Sequence, residues 1–503
     1  MEPTPLNSIR LNKLSKLFAF ACLALSPFVT YSNDKEVQST KTQLDLTPCF
    51  VDGIQQQARC GLLQVPENRA LPLSEQNAID VNVVMLPRYK EESKELPLVF
   101  LAGGPGQAAT ELAGMLGWPL REIRQQHDII LVDQRGTGQS NGMRCPAPEE
   151  DMLTLDDDSI DMKQEVDKCL AQFSDYHLPS YNTYDFIEDL EQVREALGYK
   201  QVHIYGGSYG TRAGFAYLKR YPESIKTATL DSTAPMQLVV GLFGKTSERA
   251  FDFLLEDCQT HDACNTAFPE LKADYLSLME KLKKSPIKQV IYHPISGDET
   301  EVLLSESKVV EALRATLYDL GSRQVLPYLI HTANKGDVRG LAATIATSNA
   351  RVEGAGGMYT GLTMNIICNE DIPRASQQQF SNDADNYFSG ELGHSTFTEV
   401  CRYWPKWQAP ADFAEPLKTD VPVLLFSGKY DPVTPPAYAD MAMETLGNAK
   451  HVVIEHGSHV PSLSMCTESI QQFMQKANFE DVTFDCADKP VPRMFFTDMN
   501  QLQ

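Results

Sequence analysis

A serine flanked by glycines stands where a short apolar run meets a helical stretch. The run 202–205 leads into G-G-S-Y-G at 206–210, and small residues at 211–214 open the helix. The pattern G-x-S-x-G places glycines two positions either side of the serine because the strand-to-helix turn is tight and strained. Such a turn lifts the hydroxyl clear of the sheet, and the helix N-terminus behind it favours developing negative charge. We therefore predict that Ser208 is a nucleophile.

A serine hydroxyl needs a base to remove its proton and an acid to orient that base. In the strand-to-helix arrangement, the acid and then the base follow the serine along the chain. Asp431 and His459 meet this order, and each follows a short apolar run that reads as a strand. We predict that Asp431 is the acid and His459 the base, with Asp231 as the alternative acid and His456 as the alternative base.

Two glycine-containing loops complete this candidate site. The loop G-G-P-G at 103–106 offers backbone N–H groups near Gly103 and Gly104. Together with the N–H of Tyr209, these groups are expected to form an oxyanion hole that stabilises a tetrahedral intermediate. The second loop, D-Q-R-G-T-G-Q-S at 133–140, is expected to support the site, with Arg135 bracing neighbouring loops through carboxylate contacts.

The order of strand-like and helix-like segments predicts an α/β fold with a mainly parallel sheet. Short apolar runs ending in Gly, Asp or Ser recur, separated by helical stretches such as 184–197 and 211–221, and the runs 61–65 and 81–86 predict an antiparallel beginning. Residues 236–416 differ, because they contain amphipathic helical stretches, at 271–282 and 308–320 for example, with strand character confined to a patch at 289–292. We interpret this segment as a mostly helical insertion into the sheet domain.

The N-terminus predicts export to the periplasm or the extracellular space. Arg10, Lys13 and Lys16 precede the apolar run 17–29, which is too short to span a membrane, and the small residue Ser32 follows. This order is typical of a signal peptide at 1–32. No later apolar run is long enough to span a membrane, so we expect no stable membrane insertion of the mature chain.

The cysteines agree with an exported chain. Of the 11 cysteines, Cys22 lies in the predicted signal peptide and an even set remains beyond it. An even set in an exported chain predicts disulfides, and the local spacings suggest pairing in sequence order. Zinc-like Cys/His spacing is lacking, so no metal site is expected. The predicted pairs are 49–60, 145–169, 258–264, 368–401 and 466–486.

The charge excludes one class of function. Lys and Arg number 44 against 67 Asp and Glu, which gives a formal net charge of −23. A nucleic-acid-binding surface needs clustered positive charge, so no nucleic-acid partner is expected. The oligomeric state is left open by the sequence.

Taken jointly, these segments resemble the serine-peptidase branch of the α/β-hydrolases, which includes proline iminopeptidases, tricorn-interacting factors and secreted tripeptidyl aminopeptidases. The resemblance covers the G-G-P-G loop, the D-x-R-G-x-G-x-S run and the G-G-S-Y-G turn, as well as the acid and base positions. It implies an α/β-hydrolase fold with a helical cap inserted before the acid-bearing strand. The chain would then divide into a signal peptide (1–32), a first core part (33–235), the cap (236–416) and a second core part (417–503).

The position before the glycine loop distinguishes two groups within this branch. Proline iminopeptidases usually carry His there, whereas this chain has Ala102. The exported tripeptidyl-aminopeptidase-like group is more similar, and C-N-E-D at 368–371 resembles its cap motif. Because an exopeptidase must recognise a free α-amino group, the resemblance makes Glu370 and Asp371 candidate amine anchors. Alternatively, they are surface acids beside a disulfide.

The resemblance therefore implies an exported serine aminopeptidase that acts on short peptides and uses no metal or cofactor. The same three residues also serve ester hydrolysis, so a carboxylesterase acting on small esters is the alternative within enzymes. A non-catalytic binding protein on a hydrolase scaffold is the alternative from another class.

Overall fold

A nine-stranded sheet forms the centre of the computed structural model, which describes residues 44–353 and 356–498. The predicted signal peptide at 1–32 lies outside the described residues. The strands of the whole described chain are β1 Thr47–Cys49, β2 Ala58–Pro66, β3 Ala78–Leu86, β4 Leu98–Leu101, β5 Ile129–Val132, β6 Val202–Gly207, β7 Ile225–Asp231, β8 Ile287–Tyr292, β9 Glu299–Leu304, β10 Val423–Gly428 and β11 Ala449–Ile454.

The sheet begins antiparallel and continues parallel. Its strand order is β1-β2-β3-β5-β4-β6-β7-β10-β11. The pairs β1–β2, β2–β3 and β3–β5 are antiparallel, with Gly61 opposite Val83, and the remaining pairs are parallel. The predicted α/β class, the mainly parallel sheet and its antiparallel beginning are confirmed.

The central strands β4 and β5 are apolar throughout and fully buried because helices cover both faces of the sheet. Alternate residues of β4 enter two different apolar clusters: Val99 and Leu101 face one, and Leu98 and Phe100 face the other. Successive side chains of a strand point to opposite faces, so two clusters are the expected outcome. Because β6, β7, β10 and β11 run parallel to one another, their carboxyl ends meet at one edge of the sheet. The candidate site lies at this edge.

The helices surround the sheet and also fill the segment between β7 and β10. In the described residues they are α1 Ala113–Leu116, α2 Met162–Ala171, α3 Thr183–Ala196, α4 Tyr209–Arg220, α5 Gly244–Thr260, α6 Asp262–Ala267, α7 Leu271–Lys284, α8 Glu306–Leu317, α9 Leu326–Asn334, α10 Arg339–Glu353, α11 Thr360–Ile366, α12 Gln377–Ala384, α13 Leu392–Tyr403, α14 Pro436–Met443, α15 Ser462–Met465 and α16 Thr467–Lys476. A π-helical turn, Ile367–Asp371, follows α11.

The segment between β7 and β10 has an apolar core of its own. Side chains from α5, α7, α8 and α9, such as Phe251, Leu278, Leu313 and Ile330, are buried together there. One expectation for this segment is wrong: strand character is not confined to 289–292, because β8 pairs with β9 in an antiparallel hairpin. The sequence of β9, E-T-E-V-L-L, begins polar and exposed, which hides its strand character. We call the segment the cap; its boundaries at 236 and 416 remain a prediction.

All five predicted disulfides are present with the predicted partners. Two of them lie wholly in the cap segment: Cys258–Cys264 joins α5 to α6, and Cys368–Cys401 joins the π-helical turn to α13. Within residues 44–353 and 356–498, no helix is both long and apolar enough to cross a membrane.

Candidate active site

Ser208 occupies a strained turn between β6 and α4. Its φ of 57° and ψ of −123° are sparsely populated for residues other than glycine. The N–H of Ser208 donates to the carbonyl of Asp231 at 2.9 Å, which ties the turn to the end of β7. A Cβ at Gly210 would lie 2.1 Å from the carbonyl oxygen of Leu101, so this position accepts only glycine. A Cβ at Gly206 would likewise lie 2.4 Å from the carbonyl oxygen of Gly210, so the predicted reason for the flanking glycines applies on both sides of the serine.

The Asp431 carboxylate contacts the imidazole of His459. Asp431 Oδ2 lies 2.8 Å from His459 Nδ1, and the carboxylate is fully buried. The N–H groups of Val433 and Thr434 donate to its other oxygen at 2.9 and 2.8 Å, and the Thr434 hydroxyl donates to Oδ2 at 2.9 Å. Burial raises the pKa of Asp431, but His459 and these hydrogen bonds outweigh burial and hold it below its ordinary value.

Thr434 is a site residue that the sequence reasoning missed. Its hydroxyl oxygen also lies 3.3 Å from His459 Nδ1, so it contacts both members of the pair. The sequence contains a signal for this contact, because the hydroxyl of a threonine three residues after an aspartate commonly hydrogen-bonds to that aspartate in a turn.

Asp231, the alternative acid, has different contacts. Its Oδ2 accepts hydrogen bonds from the Tyr205 hydroxyl at 2.9 Å and the Ser462 N–H at 2.7 Å. The neighbouring Ser232 accepts a hydrogen bond from the N–H of Val460 at 2.8 Å. Burial raises the pKa of Asp231 to about 6. Asp231 therefore joins the nucleophile turn to the loop that carries His459, while Asp431 is the carboxylate in contact with the imidazole.

The G-G-P-G loop lies between the Ser208 turn and the cap. A Cβ at Gly103 would lie 3.4 Å from the Cβ of Ser208, so the two residues are neighbours. On the other side, the Thr363 hydroxyl donates to the carbonyl of Pro105 at 2.6 Å, and the N–H of Tyr359 donates to the carbonyl of Gly106 at 2.8 Å. The N-terminal part of α11 and the residue before it therefore hold the glycine loop in place on its cap side.

Arg135 braces the surroundings of the site, as expected. Its guanidinium is fully buried and forms a bidentate pair with Asp189, with both N–O distances 2.7 Å. It also donates to the carbonyls of Glu67 and Ser180, at 2.8 and 3.1 Å. Arg135 thus connects its own loop to α3 and to the backbone at Glu67 and Ser180, because a planar guanidinium presents several donors in fixed directions.

Glu370 is buried rather than at the surface, so the surface-acid alternative is wrong for it. It is 1% exposed, in the π-helical turn after α11. Its Oε1 accepts from the Thr183 N–H at 2.7 Å and its Oε2 from the Thr183 hydroxyl at 2.6 Å. Burial, together with the nearby Asp371 carboxylate, raises the pKa of Glu370 to about 7, against the lowering effect of the Thr183 bonds and Arg212. A carboxylate so placed gains from a cation brought next to it.

Asp371 is also buried, and the surface-acid alternative is wrong for it too. Its Oδ1 lies 2.7 Å from Arg212 Nη1 and 3.1 Å from Arg374 Nη2, and accepts from the N–H of Val240 at 2.9 Å. Two guanidinium groups already neutralise this carboxylate. Of the two predicted anchors, Glu370 is therefore the one that lacks a cationic partner of its own at hydrogen-bond distance in the described chain.

The cap also reaches the base. The ring of Tyr318, just beyond α8, stands edge-on to the imidazole of His459 with centroids 4.8 Å apart. The N–H of His459 donates to the carbonyl of Tyr318 at 3.1 Å, and the Ser458 hydroxyl donates to the carbonyl of Leu317 at 2.7 Å. This contact was not predictable from the sequence, because it joins residues far apart in the chain.

The sheet order, the strained serine turn and the Asp–His pair at neighbouring strand ends define a hydrolase of the α/β type. The chain belongs to the α/β-hydrolase fold family, which it matches over residues 97–464. It is 24% identical over 460 residues to the serine protease Hip1 of Mycobacterium bovis, covering 82% of this chain and 86% of that protein. It is 22% identical over 436 residues to the tripeptidyl aminopeptidase of Streptomyces lividans, covering 79% of this chain and 77% of that one.

A third relative matches a shorter stretch. The proline iminopeptidase of Neisseria gonorrhoeae is 29% identical over 146 residues, which is 28% of this chain and 35% of that protein. The resemblance to the peptidase branch of the α/β-hydrolases is therefore confirmed.

Proposed function

We propose that the protein is an exported serine aminopeptidase that hydrolyses short peptides from their free N-terminus. The observation that carries the proposal is the contact between the buried Asp431 carboxylate and His459, at the strand ends beside the strained turn of Ser208. The similarity to a tripeptidyl aminopeptidase and a serine protease supports the peptidase class.

In the proposed reaction, Ser208 Oγ attacks the scissile carbonyl carbon while His459 Nε2 takes the hydroxyl proton. The carbonyl π-electrons move to oxygen, and the resulting oxyanion accepts hydrogen bonds from N–H groups near Gly103 and Gly104 and from that of Tyr209. The intermediate collapses, the C–N bond breaks, and His459 gives its proton to the leaving amine. Water then attacks the acyl-enzyme with His459 again as base, which releases the acid and restores Ser208.

Asp431 has two roles in this proposal. It accepts the Nδ1–H of His459, which directs Nε2 towards Ser208, and it stabilises the imidazolium that forms during attack. The bonds from Val433, Thr434 and its hydroxyl keep the carboxylate ionised and fixed in orientation. Holding the acid in advance lowers the reorganisation needed in the transition state.

Glu370 is the proposed anchor for the α-ammonium group of the substrate. A buried carboxylate that has no cation at hydrogen-bond distance within the described residues gains Coulomb energy from an arriving ammonium, and an N-acetylated peptide cannot supply one. Asp371 is proposed to shape this region through Arg212 rather than to bind substrate. The contacts of the cap with the glycine loop and with His459 favour small substrates over folded proteins.

Export fits the disulfides, because five bridges require an oxidising compartment. The proposed location is therefore the periplasm or the extracellular space, reached through the signal peptide at 1–32.

Fluorogenic mono-, di- and tripeptides, each free and N-acetylated, test the proposed function. We expect free-amine peptides to be turned over, with acetylation lowering kcat/KM by about a hundredfold or more, the cost of a lost charged hydrogen bond and an uncompensated buried charge. Turnover of simple esters, with no turnover of either form of the peptides, would instead identify a carboxylesterase. No turnover of any substrate would identify a binding protein.

A further inference from the structure

A chain of buried hydrogen bonds runs from the cap acid to the residue after the nucleophile. Gln134 Nε2 lies 3.2 Å from the Tyr209 hydroxyl, which lies 2.7 Å from the Thr183 hydroxyl. The Thr183 hydroxyl in turn lies 2.6 Å from Glu370 Oε2. All four side chains are buried, and the chain joins the second glycine-containing loop, α4, α3 and the cap.

The donors in this chain have one consistent direction when Glu370 is ionised. The single proton of Thr183 goes to the carboxylate, so the Tyr209 hydroxyl must donate to Thr183, and Gln134 donates to Tyr209. Burial raises the pKa of the Tyr209 hydroxyl, which keeps it protonated and able to donate. Every hydroxyl proton then points towards the carboxylate, and such aligned bonds strengthen one another.

Tyr209 contributes to two parts of the site, the oxyanion hole and the contact with the cap. It is the first residue of α4, so its backbone N–H is the proposed oxyanion donor, while its side chain lies under the cap. Its ring is buried in one apolar cluster with Leu362 and Ile366 of α11. The hydroxyl of this ring is fixed only through Thr183 and Gln134 in the described chain.

Thr183 contacts the cap acid, Glu370, directly. As the first residue of α3 it offers Glu370 both its N–H and its hydroxyl. A carboxylate at a helix N-terminus is further stabilised by the helix dipole. The Glu370 carboxylate therefore cannot shift without moving the bond to Thr183, and through it the bond to Tyr209.

We infer that Thr183 and Tyr209 are positioning residues that couple the amine anchor to the oxyanion hole, so that a substrate's free amine raises kcat as well as lowering KM. This inference rests on the proposed function, because it needs Glu370 as the anchor and the Tyr209 N–H as an oxyanion donor. An ammonium at Glu370 fixes the carboxylate, which fixes the Thr183 and Tyr209 hydroxyls. The start of α4 is then held in the geometry that binds the oxyanion.

The test uses two 4-nitrophenyl esters: one of the preferred free-amine acyl group, and its desamino analogue, in which hydrogen replaces the amine. The measured quantity is the ratio of their kcat values. We expect the wild-type ratio to exceed one, to fall about tenfold in Thr183→Val and in Tyr209→Phe, and to stay within about twofold in Thr183→Ser, which keeps the hydroxyl.

Ser224→Ala is the matched control for loss of a buried hydroxyl. The Ser224 hydroxyl donates to the Glu191 carboxylate at 2.9 Å, away from the site. This variant is expected to lose stability and keep the wild-type ratio. Thermal unfolding shows which variants are folded, and Tyr209→Phe removes a single oxygen, so it stays informative if Thr183→Val does not fold.

Several outcomes would overturn the inference. An unchanged ratio in Thr183→Val and Tyr209→Phe would contradict it, and so would a fall in Thr183→Ser as large as in Thr183→Val. If the wild type prefers the free-amine ester through a lower KM alone, with equal kcat values for the two esters, the proposed coupling is wrong while the aminopeptidase proposal stands. If the wild type shows no amine preference in kcat/KM, the proposed function itself fails.

Discussion

The backbone N–H of His459 donates to the carbonyl of Tyr318, 3.1 Å away, so the cap segment directly holds the residue predicted to act as base. The Tyr318 ring stands edge-on to the imidazole at 4.8 Å, and the Ser458 hydroxyl bonds to Leu317. The cap therefore restrains the loop that carries the predicted base.

Removing the Tyr318 ring is expected to lower activity without unfolding the protein. In Tyr318→Ala the imidazole loses one packing wall, so kcat should fall about tenfold. Steady-state kinetics with a free-amine peptide measures the effect. Tyr292→Ala is the control, because this tyrosine is 77% exposed on the β8–β9 hairpin and should give wild-type rates. Equal rates in both variants would show that the ring does not restrain the base.

Asp431→Asn is expected to reduce kcat by about a thousandfold to ten-thousandfold, because an amide favours the wrong imidazole tautomer. Asp440→Asn is a matched control: Asp440 pairs with His451 at 2.9 Å but is exposed and outside the site, so activity should be unchanged. A loss in Asp231→Asn as large as that in Asp431→Asn would point instead to Asp231 as the acid.

The pH dependence of amine recognition should follow Glu370. Its pKa is raised to about 7 by burial and by Asp371, against Arg212 and the Thr183 bonds, so the carboxylate becomes charged as pH rises through about 7. Free α-amino groups lose their charge near about pH 8. For free-amine substrates, relative to desamino analogues, kcat/KM should therefore rise up to about pH 7 and fall above about pH 8. A Glu370→Gln variant that keeps the rising part would contradict this assignment.

Asp231 should make stability depend on pH. Its folded-state pKa, raised by burial to about 6 from an ordinary 3.8, means that the folded protein favours the protonated acid. This contribution, on the order of 3 kcal/mol, is fully present below about pH 4 and is lost as pH rises through about 6. Denaturant unfolding of wild type and Asp231→Asn should show the wild type losing stability relative to the variant across this range. A constant difference would contradict the prediction.

The disulfide Cys368–Cys401 is expected to hold the amine anchor in place. It closes a loop of 33 residues next to Glu370, and in the chain-entropy account its loss costs about 3–4 kcal/mol. The double change Cys368→Ala and Cys401→Ala should also raise KM for free-amine peptides. Loss of Cys49–Cys60, which joins β1 to β2, is the control and should leave that KM unchanged. Equal KM values in the two variants would contradict the role in anchoring.

The features that depend on neighbouring residues in the chain were predictable from the sequence. Buried parallel strands read as short apolar runs, and Ser208, Asp431 and His459 each follow one, so their shared edge of the sheet followed from the fold class. The β9 strand was missed because its first residues are polar and exposed.

Contacts that depend on cap packing were not predictable. Thr183 and Glu370 are 187 residues apart, and neither residue type indicates the bond between them. The burial of Glu370 and Asp371, against the surface alternative, likewise results from α3, α4 and the cap meeting in space.

Mass spectrometry of the protein treated with a fluorophosphonate probe shows whether Ser208 is the nucleophile, because the probe reacts with an activated serine hydroxyl. We expect one covalent adduct, located on Ser208, that is absent in Ser208→Ala and forms much more slowly in Asp431→Asn. An unlabelled Ser208 in the folded protein, or an adduct on another serine, would contradict it.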